Sequence, residues 1–494
     1  MKHYKYKKPR RRAWKYIEIN FELCYNYTVK CPKAKKIIRN CACREADMYS
    51  RITAATEKYR KLMFDVERYV WKNPETGFRE WKTSKYLADI FKSLGYSLTM
   101  AGDIPGFYTD IDTGEPGPKI LVLGEMDALI CAEHPEADPD THAVHCCGHN
   151  AQCAALVGIA AALREEGVLD GLCGSVRLCA VPAEEGIEIV FRQELREKGI
   201  IRYYGGKAEF LHRGYFDGVD IAFMIHTTPG ERAVIRKGAV GNIRKAVRYI
   251  GVAAHAGGNP AGGVNALYAA TLGLSAINAL RETFREADLI RVHPIVTSGG
   301  AAVNAIPSDV RLESYVRGKT LEAVERENKK VNRALIGAAV SMGARIEIND
   351  KPGYHPLCND DNLIELTREA MEHVLGSERV EVNRGISTGS TDMGDLSAIM
   401  PAIHPYMPGA AGMAHGSNYY ITNPEAACVD SAKVQLIMLH KLLSDNAARA
   451  NYIIGNKSVC FASKAEYFER IEKLDAEGER VKYLDNGEIV VHKI

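Results

Sequence analysis

KILVLGEMDAL, residues 119–129, is a short apolar run that follows a Gly/Pro-rich turn and ends in two acidic side chains, Glu125 and Asp127. A run of this length, bounded by turn residues, predicts a buried strand. Outward from it, AQCAALVGIAAALREEG (151–167) predicts a small-residue helix ending at Gly167. GSVRLCAVPAEE (174–185) reads as a second strand ending in charge, and DIAFMIHT (220–227) as a third. Upstream, 52–86 follows a helical pattern broken at NPETG (73–77). Strands alternating with helices predict an α/β layer built on a mostly parallel sheet.

The texture changes near Lys245. KAVRYIGVAAHA reads as a strand and GVNALYAATLGLSAINALRE as a helix. IRVHPIVTSGG and VRLESYVRG read as two strands, TLEAVERENKKVNRALIGAAVSMG as a long helix, and ARIEIND as a closing strand. The order βαββαβ is that of a ferredoxin-like sandwich. The chain therefore divides into a basic leader (1–47), a first part of the α/β domain (48–239), an inserted ferredoxin-like domain (240–350), a second part of the α/β domain (351–446) and a charged C-terminal extension (447–494). In the extension, the NG of VKYLDNGEIVVHKI predicts a hairpin.

The net charge of +2 hides an asymmetry, because residues 1–47 carry a surplus of ten positive charges and the remainder is acidic. An acidic body excludes a nucleic-acid enzyme recognised by its charge. The leader reads either as an arm for polyanions or as an over-long gene start with Met48 as the native first residue; the second reading is preferred. Its Cys41 and Cys43 lack a second ligand pair nearby. No stretch approaches the ~18 apolar residues that cross a bilayer, and no apolar segment follows the basic start as a secretory signal requires. A cytoplasmic location, no membrane and reduced thiols are expected, the last because 13 cysteines are an odd number in a long chain.

The sharp polar residues fall at strand ends: Glu125 and Asp127 on the first, Glu184 and Glu185 on the second, His226 on the third. Cys147 and His149 lie just before the alanine-rich helix, in HCCGHN (145–150). Ligand sites of α/β sheets lie beyond the carboxyl ends of strands. Thiolate, imidazole and carboxylate together suit Zn or a related divalent ion. By itself the cluster is a weak signal, more often structural than metal-binding. Glu184 and Glu185 are readable as an exposed acidic helix start, or as one metal ligand beside one general base.

HCCGHN, LGEMDALI, AVPAEEG, GGKAEFLHRGYFDGVDIAFMIHTTPG, VAAHAGGNPAGGVNAL, GGAAVNAIPSDVRLESYVRG, GSTDMGDLSAIMP and GMAHGSNYY, in that order over about 52–445, resemble the amidohydrolase branch of the aminoacylase/carboxypeptidase metallopeptidases, peptidase family M20. The nearest pattern is that of aminobenzoyl-glutamate hydrolase subunits and β-alanyl-dipeptidase-like members. The resemblance implies a phosphorylase/hydrolase-like zinc-peptidase domain with the insertion as lid and dimerisation domain. It implies two divalent metals, Zn or Mn with Co as a further candidate, held by Cys147, His149, Glu185, His226 and His415. Glu184 would be the general base on the water between them, and Asp127 would orient a ligand. His255 would stabilise the oxyanion, often in the partner subunit's site. Asn304 and Arg317 would recognise a carboxylate on a small amide substrate. A homodimer through the inserted domain is expected.

The implied reaction is hydrolysis of an N-acyl amino acid or aminobenzoyl-glutamate-like amide. The alternatives are a dipeptidase, a catalytically dead binding or assembly subunit, and a thiol sensor built on Cys146, Cys147 and Cys153. Three departures from the pattern stand out. Asn150 replaces an Asp common in relatives. Cys146 stands where Ala is usual. The stretch 187–204 is longer than in the shorter relatives and is expected to lie beside the site. His145, Cys146 and Cys153 are read as scaffold.

Overall fold

The alanine-rich stretch forms the helix His149–Ala162, and every one of its residues is buried. A helix apolar all round belongs in a core rather than at a surface. Small side chains let its neighbours approach: a Cβ on Gly158 would lie 2.2 Å from Met63 Sδ of the helix Arg60–Lys72. The computed structural model describes residues 46–492; the leader and its cysteine pair, apart from residues 46 and 47, lie outside the described residues.

The central sheet has the order Thr99–Met100, Phe107–Asp112, Ser175–Val181, Lys119–Glu125, Ile221–Phe223, Ala402–Ile403. From Ser175–Val181 onward its strands are parallel, and Phe107–Asp112 is an antiparallel addition. The predicted strands at 119–129 and 174–185 both end where their charged residues begin.

The third predicted strand is not one strand. Its start, Ile221–Phe223, joins the central sheet, whereas His226–Pro229 runs parallel to Tyr406–Ala411 in a second, mixed sheet. That sheet also holds Ala233–Ala239 and Val380–Ser387, which the hydrophobic pattern did not reveal. His226 therefore opens a strand instead of closing one. The change of sheet places it over the carboxyl edge of the central sheet.

In the insertion, Gly241–Ile250, the helix Ala266–Leu280, the short strands Arg291–Val292 and Ile295–Ser298, Asp309–Gly318, the helix Leu321–Ser341 and Arg345–Pro352 follow one another. Asp309–Gly318 and Gly241–Ile250 are central, with Arg345–Pro352 on one side and the two short strands on the other, all antiparallel. This is the expected βαββαβ arrangement. Both helices pack on one sheet face through a separate apolar core.

The predicted C-terminal hairpin pairs Val481–Tyr483 with Ile489–Val491. Residues ahead of it extend the inserted sheet: Asp350 and Ala476 exchange main-chain hydrogen bonds at 2.7 and 2.9 Å. The helix Lys464–Glu472 turns Tyr467 and Ile471 into the core on the far side of the central sheet.

Candidate active site

Cys147, Gly148 and His149 form a turn that only glycine permits at its centre. Gly148 has φ +94°, and a Cβ there would lie 2.2 Å from Thr227 Oγ1 and 2.4 Å from Tyr419 Oη. The turn aims Cys147 and the first helical residue, His149, the same way. Cys147 Sγ stands 3.3 Å from His226 Nε2. Donor atoms of Cys147, His149 and His226 lie within 4.8 Å of one another, as do those of Cys147, Glu185 and His415, and of Glu125, His149 and Glu184. The first triad shares Cys147 with the second and His149 with the third, so the three form one connected donor set.

Hydrogen bonds fix the histidine tautomers. His149 Nδ1 donates to the Asp127 carbonyl at 2.8 Å, and His226 Nδ1 donates to the Thr227 carbonyl at 2.7 Å. In the neutral imidazole each leaves Nε2 as the acceptor facing the centre, the arrangement a metal-binding imidazole requires. His149 Nε2, Glu185 Oε1 and Asp127 Oδ1 are buried without a hydrogen-bond partner. Asp127 Oδ1 lies 3.4 Å from His149 Nδ1, behind the ring, while His149 Nε2 and Glu185 Oε1 belong to the donor triads, 3.2 Å from Glu125 Oε2 and 3.5 Å from His415 Nε2. Buried polar atoms without hydrogen bonds are costly unless something satisfies them. Burial works against charge on His149, yet Cys147, Glu125 and Asp127 outweigh it and raise its pKa. Burial, then Glu125 and Glu185, hold Glu184 well above the usual carboxylate range. Burial likewise pushes the Cys147 thiol up. A thiol and carboxyls crowded around two imidazoles fit divalent cations, which would favour their ionised forms.

The loop carrying Glu184 and Glu185 is clamped at successive carbonyls. Tyr354 Oη donates to the Glu184 carbonyl, an Arg192 guanidinium nitrogen to that of Glu185, and Tyr315 Oη to that of Gly186. These three residues come from the return into the α/β domain, the long stretch 187–204 and the inserted domain. On the other side, Asp127 Oδ2 accepts the Glu185 N–H at 2.7 Å. Ala183, just before the pair, has φ +57°, a strained backbone held by this clamping. His415, at φ +64°, places Nε2 3.5 Å from Glu185 Oε1. Beneath the site, fully buried Lys207 bridges Glu125 and Asp392.

A cavity of about 390 Å³ opens over this centre, walled by Cys147, Glu184, Glu185, His226 and His415 on one side and by Asn242, Arg244, Tyr315 and Arg317 of the inserted sheet on the other. Arg317 is thus at the cavity, with Nη1 3.3 Å from Ser390 Oγ. His255 and Asn304 are not in this wall. They sit together on an exposed edge of the inserted domain, where the Ala256 N–H bonds the Asn304 carbonyl at 2.9 Å. His255 Nδ1 accepts from Gly258 N at 2.8 Å, which leaves Nε2–H facing outward.

The scaffold residues behave as packing. His145 is buried, and burial lowers its pKa to about 3. Burial pushes the thiols of Cys146 and Cys153 up to about 12, which leaves little thiolate for redox chemistry. The nine cysteines among the described residues are all free. Asn150 turns into the core, donating to Glu67 Oε1 at 2.7 Å.

The profile of peptidase family M20/M25/M40 matches residues 121–441. The chain belongs to that family. It is 28% identical over 408 residues to the Xaa-Arg dipeptidase of Mus musculus, covering 80% of this chain and 86% of that protein. It is 29% identical over 310 residues to a subunit of the p-aminobenzoyl-glutamate hydrolase of Escherichia coli (strain K12), covering 61% of this chain and 60% of that protein. Its fold matches the crystal structure of the Bacillus subtilis YXEP protein, described as a dinuclear metal-binding peptidase of the M20 family. That match has a TM-score of 0.56 at 20% identity and covers 78% of this chain and 98% of the other. This M20 chain is accordingly a metallo-hydrolase of amide or peptide bonds. Among the described residues no helix is long and apolar enough to cross a membrane.

Sequence reasoning missed Lys207, Asp392, Arg244 and Tyr354 as site residues. Lys207 and Asp392 sit inside quoted motifs, but a lone Lys or Asp carries no spacing signal. Arg244 comes from the inserted sheet and Tyr354 from the loop that follows its last strand, and only the tertiary fold brings them over the Glu184 loop.

Proposed function

We propose that this M20 enzyme hydrolyses the amide bond of a small N-acyl amino acid or aminobenzoyl-glutamate-like substrate. The observation that carries the reading is Glu184, buried beside the Cys147, His149, Glu185, His226 and His415 donor set and facing a cavity that Arg317 also walls. Two divalent ions at this donor set would supply Lewis-acid polarisation of the scissile carbonyl and bring the pKa of water toward neutrality. Cys and His donors favour Zn, and the carboxylates also suit Mn or Co. Glu184 takes the proton of the attacking water and returns it to the leaving amine. Asp127 holds both His149 and the Glu185 main chain. Arg317 offers a fork for the substrate carboxylate.

The dipeptidase alternative needs an acidic partner for the substrate's free amine. The only carboxylates in the cavity wall, among the described residues, are Glu184 and Glu185, and both are committed to the centre. This favours a simple acyl group over an aminoacyl group on the carbonyl side of the scissile bond. His255 and Asn304 act, in this proposal, in the cavity of a second subunit docked through the inserted domain. The edge strand Ile295–Ser298, exposed along its whole length, offers the apolar side chains Ile295 and Val296 for that docking.

The test is metal content by mass spectrometry together with hydrolysis of N-acyl amino acids, aminobenzoyl-glutamate and dipeptides by wild type and Glu184→Gln. Two metals per chain, turnover of the amides, and loss of turnover with metal retained in the variant support the proposal. No metal after reconstitution with Zn, Mn or Co, and no turnover, would overturn it in favour of a binding subunit.

A further inference from the structure

Arg244 is 1% exposed, and Nε, Nη1 and Nη2 all lack a hydrogen-bond partner. It is the one guanidinium among the described residues buried with all three nitrogens unsatisfied. The contrast is Arg192, equally buried, which donates to the carbonyls of Tyr204 and Glu185. The Tyr354 ring lies under Arg244 at 4.8 Å and supports it from one side only. Among the described residues it makes no ion pair with any carboxylate. Of the acidic groups that act on it, Asp392 is bound to Lys207 and Asp395 accepts the His355 N–H at 2.8 Å. A buried charge without a carboxylate partner is costly, and a cavity wall that keeps one suits an incoming anion.

The register shows which side chains share a face with Arg244. Asn242 is opposite Arg317 and Arg244 is opposite Tyr315 on the paired strands Gly241–Ile250 and Asp309–Gly318. Side chains directly opposite, and two apart on one strand, share a face. All four line the catalytic cavity. Arg244 and Arg317 are diagonal neighbours, with Cα atoms roughly 7–8 Å apart, and their long side chains can converge on two carboxylates separated by a few bonds.

We propose that Arg244 is a specificity-determining residue that binds the side-chain carboxylate of an acidic amino acid, so that the amine half of the substrate is aspartate or glutamate. Arg317 takes the α-carboxylate and Arg244 the second one. The inference rests on the amide-hydrolase reading and adds the substrate class. A site lined by an unpaired guanidinium discriminates against a neutral isostere, because the buried charge is then left without its partner. It repels a cationic side chain, so an Xaa-Arg substrate is a poor fit here.

The experiment compares N-benzoyl-glutamate with N-benzoyl-glutamine on the metal-loaded wild type, Arg244→Met and Arg244→Lys. Alongside it, glutarate binding is measured by calorimetry on the same proteins. Wild type is expected to prefer the glutamate substrate by at least about tenfold in kcat/KM, chiefly through KM. Arg244→Met is expected to abolish that preference and glutarate binding, while Arg244→Lys keeps part of both. An unchanged glutamate-to-glutamine ratio in Arg244→Met, or a wild type indifferent to the two substrates, overturns the proposal. Glutarate binding that depends on Arg244 in a protein that cleaves neither amide would leave the anion site standing and refute the hydrolase reading. Cleavage of both amides at equal rates would do the reverse.

Discussion

The Tyr354 hydroxyl donates a hydrogen bond to the main-chain carbonyl of Glu184, the residue whose side chain faces the donor set. Tyr354 is buried, and burial raises its pKa well above that of an ordinary phenol, so it remains a donor at any working pH. The bond fixes the peptide plane beyond Glu184 and with it the direction of the carboxylate.

Tyr354→Phe removes this donor while keeping the ring against Arg244. A single net hydrogen bond contributes about 0.5–1.5 kcal/mol, so kcat is expected to fall roughly 2- to 12-fold with metal content unchanged. Steady-state kinetics on the metal-loaded variant checks this. A kcat equal to wild type would mean that Arg192 and Tyr315 hold the loop unaided.

Lys207 is fully buried between Glu125 and Asp392. Replacing it with Met leaves two carboxylates facing each other without a cation. Breaking one partner of a buried ion pair costs about 3–5 kcal/mol, and urea unfolding of Lys207→Met is expected to show a loss of that order. Adding Asp392→Asn relieves one of the stranded charges and should recover part of the loss. A Lys207→Met protein as stable as wild type would show that water or protonation already compensates these carboxylates.

How far the sequence carried can be traced residue by residue. Glu125, Glu184 and Glu185 were legible because a parallel strand buried on both faces reads as an unbroken apolar run, and polar residues at its end stand out. The inserted domain was legible because helices and strands alternate with different periods. His226 was placed at the wrong end of a strand, since IAFM and IHTT form one apolar stretch and periodicity cannot register a chain that leaves one sheet for another after three residues. The strands Ala233–Ala239 and Val380–Ser387 contain Arg236, Lys237 and Asn383 at half-buried positions, which blurs their alternation. Arg244 was invisible for a related reason: in a strand reading KAVRYI, a preceding Arg looks like an exposed alternate, and only the catalytic domain folded against that sheet face buries it.

His355 carries the acid sensitivity of the seam between the α/β domain and the C-terminal extension. It is buried against the rings of Phe461 and Tyr467, and Nδ1 donates to the Pro356 carbonyl at 2.9 Å. Burial lowers its pKa to about 4, with Glu322 and Arg470 as weaker and opposing influences. The unfolded chain takes up this proton near pH 6.5 and the folded chain only near 4. The stability it permits is therefore complete above pH 6.5 and lost as the pH falls toward 4. At about 1.4 kcal/mol per pKa unit this amounts to roughly 3 kcal/mol. His355→Asn keeps a donor at the same place without the titration. Its stability, measured by denaturant unfolding from pH 7 to 4, is expected to fall by about that much less than wild type. Parallel curves for the two proteins would refute this assignment.

The exposed placement of His255 makes the dimer proposal testable by mixing. His255→Ala and Glu184→Gln are each expected to be inactive as separate preparations. After dissociation and random reassociation, half of the dimers are mixed, and each mixed dimer contains one site with both residues intact. About a quarter of wild-type activity should return, as closed two-fold symmetry requires. No recovery, with mixed dimers verified by mass, would place His255 in its own chain's cavity or outside catalysis altogether.

The C-terminal extension closes an edge of the inserted sheet, and hydrogen exchange can read that directly. Arg345–Pro352 bonds on one side to Gly241–Ile250. On the other side, Ile348 N–H donates to the Gly478 carbonyl at 3.1 Å and Asp350 N–H to the Ala476 carbonyl at 2.7 Å. Alternation along a strand means that the amides of Glu347 and Asn349 point the opposite way, into the sheet. A chain ending at residue 474 is therefore expected to exchange the Ile348 and Asp350 amides at least about tenfold faster, with Glu347 and Asn349 still protected. The uncovered strand is an open edge, and such edges recruit other chains, so light scattering should show concentration-dependent self-association. Uniform loss of protection along the strand would mean that the extension holds up the inserted domain as a whole, and unchanged exchange would mean that it adds nothing to the edge.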